Sequence, residues 1–316
     1  MVPGALTVLF NPSEAHVHNL FRLKRLCENV VAVDNSPVLD LQLQEHIRKG
    51  GIDLLSNFNR GGVAGAYNKG LERLIEKECQ LLFMFDQDSE VPEDYFPRML
   101  ASRLTLGNPH CLMGPKVFDI HVNRYLPAHM VHGFAAKPIS ITHADHGLLR
   151  CSSIITSGSV LSAETYRILG HFREDYFIDH VDTEYSFRAA SKGVPVYINT
   201  SLTLKHEIGK RIDHSICAVK IIQWNTSPLR LYYSARNCIH IVRLYGRRFP
   251  ILALINVITA QQFISVMLYE KGKIKKLVAM MAGIVDGLLG RYGAFETSRP
   301  RSATFCVKPK AASTLQ

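Results

Sequence analysis

No Cys-x-x-Cys pair occurs among the seven cysteines of this 316-residue chain. Scattered and odd in number, they argue against a disulfide framework and a structural zinc site, and for a reducing compartment. The start, Met1 to Ala5, has no basic stretch ahead of its short apolar run, so no secretory signal is expected. The glycine turn at residues 61–65 fits neither the dinucleotide fingerprint nor the phosphate loop of the nucleoside triphosphatases. A clean membrane span of roughly 20 apolar residues is also missing. Residues 249–268 come nearest, but Asn256, Thr259, Gln261, Gln262 and Ser265 interrupt them. Acids are scarce near the C-terminal end. Residues 205–316 hold 18 basic and 5 acidic side chains, a net of +13, while residues 1–204 hold 19 and 22, a net of −3. A near-neutral body with a basic C-terminal third suggests an anionic partner: nucleic acid, an acidic membrane face or a phosphorylated substrate.

What is present is ample core material, 47% hydrophobic, in one large domain or two. Its centre is Leu81-Leu82-Phe83-Met84-Phe85-Asp86-Gln87-Asp88-Ser89. An unbroken apolar run reads as a strand buried on both faces of a parallel sheet. Ligands bind at the carboxyl ends of such strands, and Asp-x-Asp there offers oxygen donors to a hard cation. A turn or helix cap is the plainer reading.

Strands are predicted over 5–10, 30–33 and 52–55, with helices over 18–27 and 39–47 between them. A further helix follows the glycine turn, with Tyr67, Leu71, Leu74, Ile75 and Cys79 on one face. Strands alternating with helices imply βαβ units. Residues 92–110 read as helix and loop, and 111–115 as a short strand. Residues 119–150, rich in His and Pro, give no clear pattern, and His121, His129, His132, His143 and His146 read as loop histidines. Residues 154–161 read as a strand with a Gly-Ser interruption, and Ala163–Leu169 as a helix closed by Gly170. Three acids, Asp179, Asp182 and Glu184, stand ahead of a helical pattern. They suit a helix dipole or supply a general base. A strand is expected at 194–198, and Tyr232 starts a helix running to Tyr245. Two apolar helices, 249–268 and 277–289, flank Lys271, Lys273, Lys275 and Lys276. They suit an interfacial membrane attachment, or a helical pair packed on the core or in a homodimer.

In order along the chain stand Val-Asp-Asn-Ser (33–36), Asn-Arg-Gly-Gly-Val-Ala-Gly-Ala-x-Asn (59–68) and Asp-Gln-Asp-Ser (86–89). Thr-Ser-Gly-Ser (156–159), Phe-Ile-Asp-x-Val-Asp-Thr-Glu (177–184), Lys-His-Glu-Ile-Gly (205–209) and Tyr-Tyr-x-x-Arg-Asn (232–237) follow. This series resembles the family 2 glycosyltransferases of GT-A fold, and within them the bacterial rhamnosyltransferase branch. It covers about residues 5–293. The resemblance implies an α/β fold, a mostly parallel Rossmann-like sheet with helices on both faces, and a C-terminal helical extension. It divides the chain into a catalytic domain at 1–205 (a donor half to 90, an acceptor half after it), a basic helical region at 206–296, and a disordered tail at 297–316.

The resemblance also implies inverting transfer of a sugar, L-rhamnose from dTDP-L-rhamnose, with Mg²⁺ or Mn²⁺. The acceptor would be a hydroxyl of a lipid-linked glycan or polysaccharide of the bacterial surface. The enzyme would sit at the inner face of the cytoplasmic membrane, on anionic lipid. On the donor side it places Asn11, Asp34, Asn35, Asn59, Gly62, Gly65, Asn68, Asp86 and Gln87. Asp88 and His206 would face the metal, with Asp86 beside them, and Gly158, Ser159 and Arg236 the acceptor. Asp182 would be the catalytic base. The family more often has Glu-Asp where Val181-Asp182 stands, so Asp179 and Glu184 remain open. A sugar-phosphate nucleotidyltransferase would carry a glycine-rich basic loop after the first strand, where Asn11-Pro12-Ser13-Glu14 stands instead. A nucleic-acid-binding module would interleave aromatic and basic residues in the C-terminal third, which this chain does not do.

Overall fold

Successive apolar side chains of a strand point to opposite faces of its sheet, and the computed structural model shows where each set goes. It describes residues 1–206, 212–216 and 219–299. The first part alternates strictly: β1 (Pro3–Leu9), α1 (Glu14–Leu26), β2 (Asn29–Asp34), α2 (Leu41–Lys49), β3 (Asp53–Ser56), α3 (Gly62–Glu76) and β4 (Leu81–Asp86). These strands pair in parallel in the order β3-β2-β1-β4. Leu82 and Met84 face one core layer with α3, while Leu81, Phe83 and Phe85 face the other with α1 and α2. Both faces of β4 are therefore dry, which is why its sequence is an unbroken apolar run.

The second part is α4 (Tyr95–Leu104), β5 (Leu112–Asp119), β6 (Arg124–Tyr125), β7 (Ala128–His132), β8 (Ala135–Ile139), β9 (Leu148–Cys151), β10 (Ser159–Ser162), α5 (Ala163–Leu169), α6 (Val181–Ser191) and β11 (Val196–His206). They extend the sheet to β3-β2-β1-β4-β10-β5-β11-β9, with β6 on β5, and β7–β8 form a separate hairpin. β10 runs antiparallel between β4 and β5, and β9 antiparallel on β11. Residues 154–158, read from sequence as part of a strand, are instead a turn, and only Ser159–Ser162 pair. Thr156 and Ser157 turn their hydroxyls to local partners rather than extending the ladder. The expected strand at 194–198 continues to His206, with an irregularity between Asn199 and Thr203. The unassigned 119–150 stretch holds β6, the β7–β8 hairpin and most of β9.

After β11 come β12 (Ile212–Ile216), β13 (Val219–Gln223), α7 (Pro228–Tyr245), a 3₁₀ turn (Pro250–Ile255), α8 (Asn256–Tyr269), α9 (Lys273–Leu289) and α10 (Phe295–Ser298). α7 begins four residues before the predicted Tyr232, because the Ser227 side chain caps the Arg230 amide and Pro228 suits the first turn. Leu231 to Cys238 are all buried, so α7 is the central element of this part. The expected tail lies outside the described residues from 300 onward.

Candidate active site

The site begins where four parallel strands end side by side. The Asn35 amide donates to Leu9 O, the Asn57 amide to Asp34 O, and the Asn11 amide to Ser36 Oγ, each within 2.8 Å. Asn57 Nδ2 reaches Asn35 Oδ1 at 2.8 Å, and Asn35 Nδ2 reaches Asn59 Oδ1 at 3.2 Å. Polar side chains thus stitch the ends of β1, β2 and β3 into one rim. Asn11 and Asn59 take positive φ of 46° and 55°, conformations that asparagine tolerates. Gln87 Oε1 accepts the Phe10 amide at 2.8 Å, which locks the Asp86–Ser89 turn to the end of β1.

Asp86 and Asp88 both stand partly exposed at the end of β4. Ser157 Oγ supports their turn from beneath, 2.6 Å from Ser89 Oγ and 3.4 Å from the Asp86 amide. Oxygen donors one residue apart on a half-open strand end suit Mg²⁺ or Mn²⁺. Among the described residues, no cluster of three or more His, Cys, Asp or Glu is assembled, so two carboxylates would need diphosphate oxygens or a further side chain to complete a shell. The His206 side chain, assigned to that place, lies outside the described residues.

Several assigned residues work from behind the surface. The Asp34 carboxylate is buried and accepts from the Ser36 amide and from Gln44 Nε2. Buried Asn68 uses its whole amide: Oδ1 accepts from the Phe172 amide and Tyr166 hydroxyl, and Nδ2 donates to Phe172 O and Glu174 Oε1. Gly62 has φ of 62°, and a Cβ there would lie 2.0 Å from Phe177 O. Gly65 is held equally close to Arg60 O, at 2.2 Å. The glycine turn therefore makes room for this chain's own backbone, above all residue 177. Gly158 and Ser159 are buried rather than lining an acceptor surface. Tyr95 donates to Gly158 O, and Ser159 Oγ donates to Thr156 O at 2.6 Å.

The three acids of the second motif separate cleanly. Asp179 is held by a two-pronged pair with Arg230. Buried Glu184 accepts from Arg188 Nε at 3.1 Å and from the Tyr245 hydroxyl at 2.5 Å. Asp182, in the first turn of α6, makes no ion pair among the described residues. Its Oδ1 accepts from the Thr183 amide at 2.7 Å. It lines a pocket of about 130 Å³ with Pro115, Val117, His129, Ile154 and Thr183. Burial lifts its pKa above the ordinary carboxylate value, only partly offset by the Thr183 amide and by His180. Burial of this kind favours the protonated form and makes the carboxylate a stronger base than an exposed one.

Sequence reasoning missed three residues that organise these acids. Tyr67, read as an apolar helix position, places its hydroxyl 3.5 Å from Asp86 Oδ1. Burial raises its pKa well above normal, and the nearby charges of Asp86 and Asp182 raise it further, so this phenol feels both carboxylates. His180 packs its Nε2 3.2 Å from Cys238 Sγ. Burial opposes its charge, but Cys238, Asp179 and Asp182 outweigh it and hold its pKa at about 9. Asn237, beside the flagged Arg236, donates to the carbonyls of Tyr176, Ile178 and Asp179 at 2.8–3.1 Å. That turn needs holding, since Phe177, Asp179 and His180 all have φ of 62–64°. Arg236, assigned to the acceptor, is instead fully buried. It donates to Asp175 O and Gly293 O at 2.7 Å and lies over the rings of Tyr232 and Tyr233. The place of Tyr-Tyr-x-x-Arg-Asn at the end of the motif series is the sequence signal for this clamp.

No protein-family model matches the chain. It is similar to the dTDP-rhamnosyl transferase RfbF of Shigella flexneri, 28% identical over 296 residues, which cover 92% of this chain and 96% of that protein. In fold it is similar to GalNAc-T7, solved with UDP, GalNAc and Mn²⁺, at a TM-score of 0.59 and 13% identity over 99% of this chain. S. aureus TarS follows at 0.54 and 15% identity over 92%. The chain spans 59% and 49% of the length of these two structures. The chain thus has the fold of these glycosyltransferase structures, and its near full-length likeness to a rhamnosyl transferase supports a rhamnosyltransferase-like glycosyltransferase of family 2.

Proposed function

We propose that the enzyme transfers L-rhamnose from dTDP-L-rhamnose, with inversion, to a hydroxyl of a lipid-linked or polysaccharide acceptor in bacterial surface glycan synthesis. Likeness to the dTDP-rhamnosyl transferase of Shigella flexneri supports the sugar and nucleotide. The observation that carries the mechanism is Asp182: of three neighbouring acids it alone makes no ion pair among the described residues, lines a pocket and is held above the usual carboxylate pKa.

Asp182 takes the proton of the acceptor hydroxyl as that oxygen attacks the anomeric carbon. The bond to the diphosphate breaks with its electron pair on the leaving oxygen. One displacement inverts the centre, so a β-linked donor gives an α-L-rhamnoside. Asp86 and Asp88 would hold Mg²⁺ or Mn²⁺, which when bound neutralises and orients the leaving diphosphate. Tyr67 holds Asp86 in place, and Asn237 holds the turn that presents Asp182.

A donor screen with hydrolysis as readout, run with and without divalent metal, tests the reading and needs no acceptor. Metal-dependent release of dTDP from dTDP-L-rhamnose, above release from UDP-sugars, is expected. Release of pyrophosphate from a nucleoside triphosphate and a sugar phosphate would show a nucleotidyltransferase instead.

A further inference from the structure

In water, a surface helix turns its apolar stripe inward. α9 does so only at Met280, which packs on Leu231 and Val266. The rest of its buried face is Lys276, Ala279, Gly283, Asp286 and Gly287. The small residues at 279, 283 and 287 let α9 lie against the backbone of α7, with the Gly283 Cβ position 2.3 Å from Tyr232 O. Two of its charges also point inward: Lys276 pairs with Glu270 at 2.5 Å, and Asp286 accepts from the Tyr232 hydroxyl at 2.8 Å. Its outer face is Ile274, Val278, Met281, Val285 and Leu288, with Ile274 78% and Leu288 64% exposed. Val257, Ile264 and Met267 of α8 are exposed in the same way. Small residues at a helix contact with apolar side chains outward are how helices pack in lipid.

We infer that the outer face of α8 and α9 is seated in the interface of an anionic bilayer. Charge selects this occupant. Lys271, Lys273 and Lys275 are all exposed at the α8–α9 junction, where they meet acidic headgroups while the apolar side chains enter the acyl boundary. A second copy of the chain on this face would bring the same lysines together. The helices lie in the surface rather than across it. The segment Pro250–Tyr269 has the length and hydropathy of a span, but Thr259 is buried and Ser234 donates to Gln262 at 3.4 Å, which fastens one side of α8 to the protein. The same α7 against which α9 packs carries Asn237, so the seat and the turn presenting Asp182 are adjoining parts of one packed unit. The inference does not rest on the identity of the sugar or the metal.

The test is co-sedimentation of the full chain with phosphatidylglycerol-containing vesicles and with pure phosphatidylcholine vesicles, beside its mass by light scattering. Binding to the anionic vesicles is expected. Changing Lys271, Lys273 and Lys275 to Gln should weaken it on the order of a hundredfold at low salt, from about fivefold per lysine. Val278→Glu with Met281→Glu, both surface changes, should abolish it while circular dichroism and donor hydrolysis stay as in the parent. Three results would overturn the inference: a chain that stays in solution with anionic vesicles, a double variant that binds as before, or a stable dimer that the double variant dissociates.

Discussion

The side-chain amide of Asn237 lies 2.8 Å from the carbonyl oxygen of Asp179, three residues before the acid that lines the pocket. It reaches Tyr176 and Ile178 as well, so one side chain restrains a turn with three residues at positive φ. Asn237→Ala frees that turn and shifts Asp182. Misplacement of about 1 Å costs on the order of a hundredfold in rate. The expected result is a kcat lowered by about ten- to a hundredfold with the donor KM unchanged, read by steady-state kinetics. Loss of donor affinity alone would assign Asn237 elsewhere.

Asp182 gives two linked outcomes. As the base it must be ionised, so kcat/KM falls with acid at a pH above the ordinary Asp value of about 3.9. Asp182→Asn should lower transfer by about 10²–10⁴-fold. The folded carboxyl also binds its proton more tightly than the unfolded one. The native state therefore loses stability as pH rises from the ordinary carboxylate range through the raised value. Asp182→Asn escapes that loss, so its melting temperature should exceed the parent's at pH 8, with the gap closing near pH 4. A variant less stable than the parent at pH 8 contradicts the assignment.

Glu184 belongs to the fold. Its carboxylate meets Arg188 and Tyr245, all largely out of water. Glu184→Gln leaves the Arg188 charge uncompensated and should cost about 3 kcal/mol in chemical denaturation. Transfer by the folded fraction should stay within about tenfold of the parent. A larger catalytic loss with unchanged stability would make Glu184, not Asp182, the base.

Asp88 stands partly exposed at a strand end. Asp88→Ala should keep the melting temperature and abolish metal-dependent donor hydrolysis. Calorimetric titration of Mn²⁺ with dTDP should lose its metal-dependent heat. Unchanged metal dependence would move the cation off this turn.

The parallel half of the molecule was legible because its strands are dry on both sides, and such strands are written as unbroken apolar runs. β7 and β8 were not, because they form a separate hairpin and face water along much of their length. The glycine turn was visible, but its reason was not. Phe177, which forces Gly62, is over a hundred residues away and carries no local mark. The three acids at 179–184 were equally ambiguous within their own helical turn. Arg230 and Tyr245, distant in sequence, decide which one is left for chemistry. Arg236 shows the opposite error: a charged residue in a motif suggested contact with substrate, while its guanidinium is used on backbone carbonyls.

Gly62→Ala tests the link between the two motifs. A Cβ there meets Phe177 O and sits at an unfavourable φ. The expected cost is about 1–3 kcal/mol of stability, with activity falling together with it. An unchanged melting curve would show that the two turns part easily.

The Val63 amide donates to Phe177 O at 2.8 Å, so the glycine turn and the turn that leads to Asp182 share a peptide-to-peptide bond. Neither can be lengthened or exchanged alone. A chimera that takes its first 90 residues from a relative of different nucleotide preference inherits a mismatched partner at 177. Recombination between such enzymes should succeed only where residues 61–65 and 174–180 travel as one cassette.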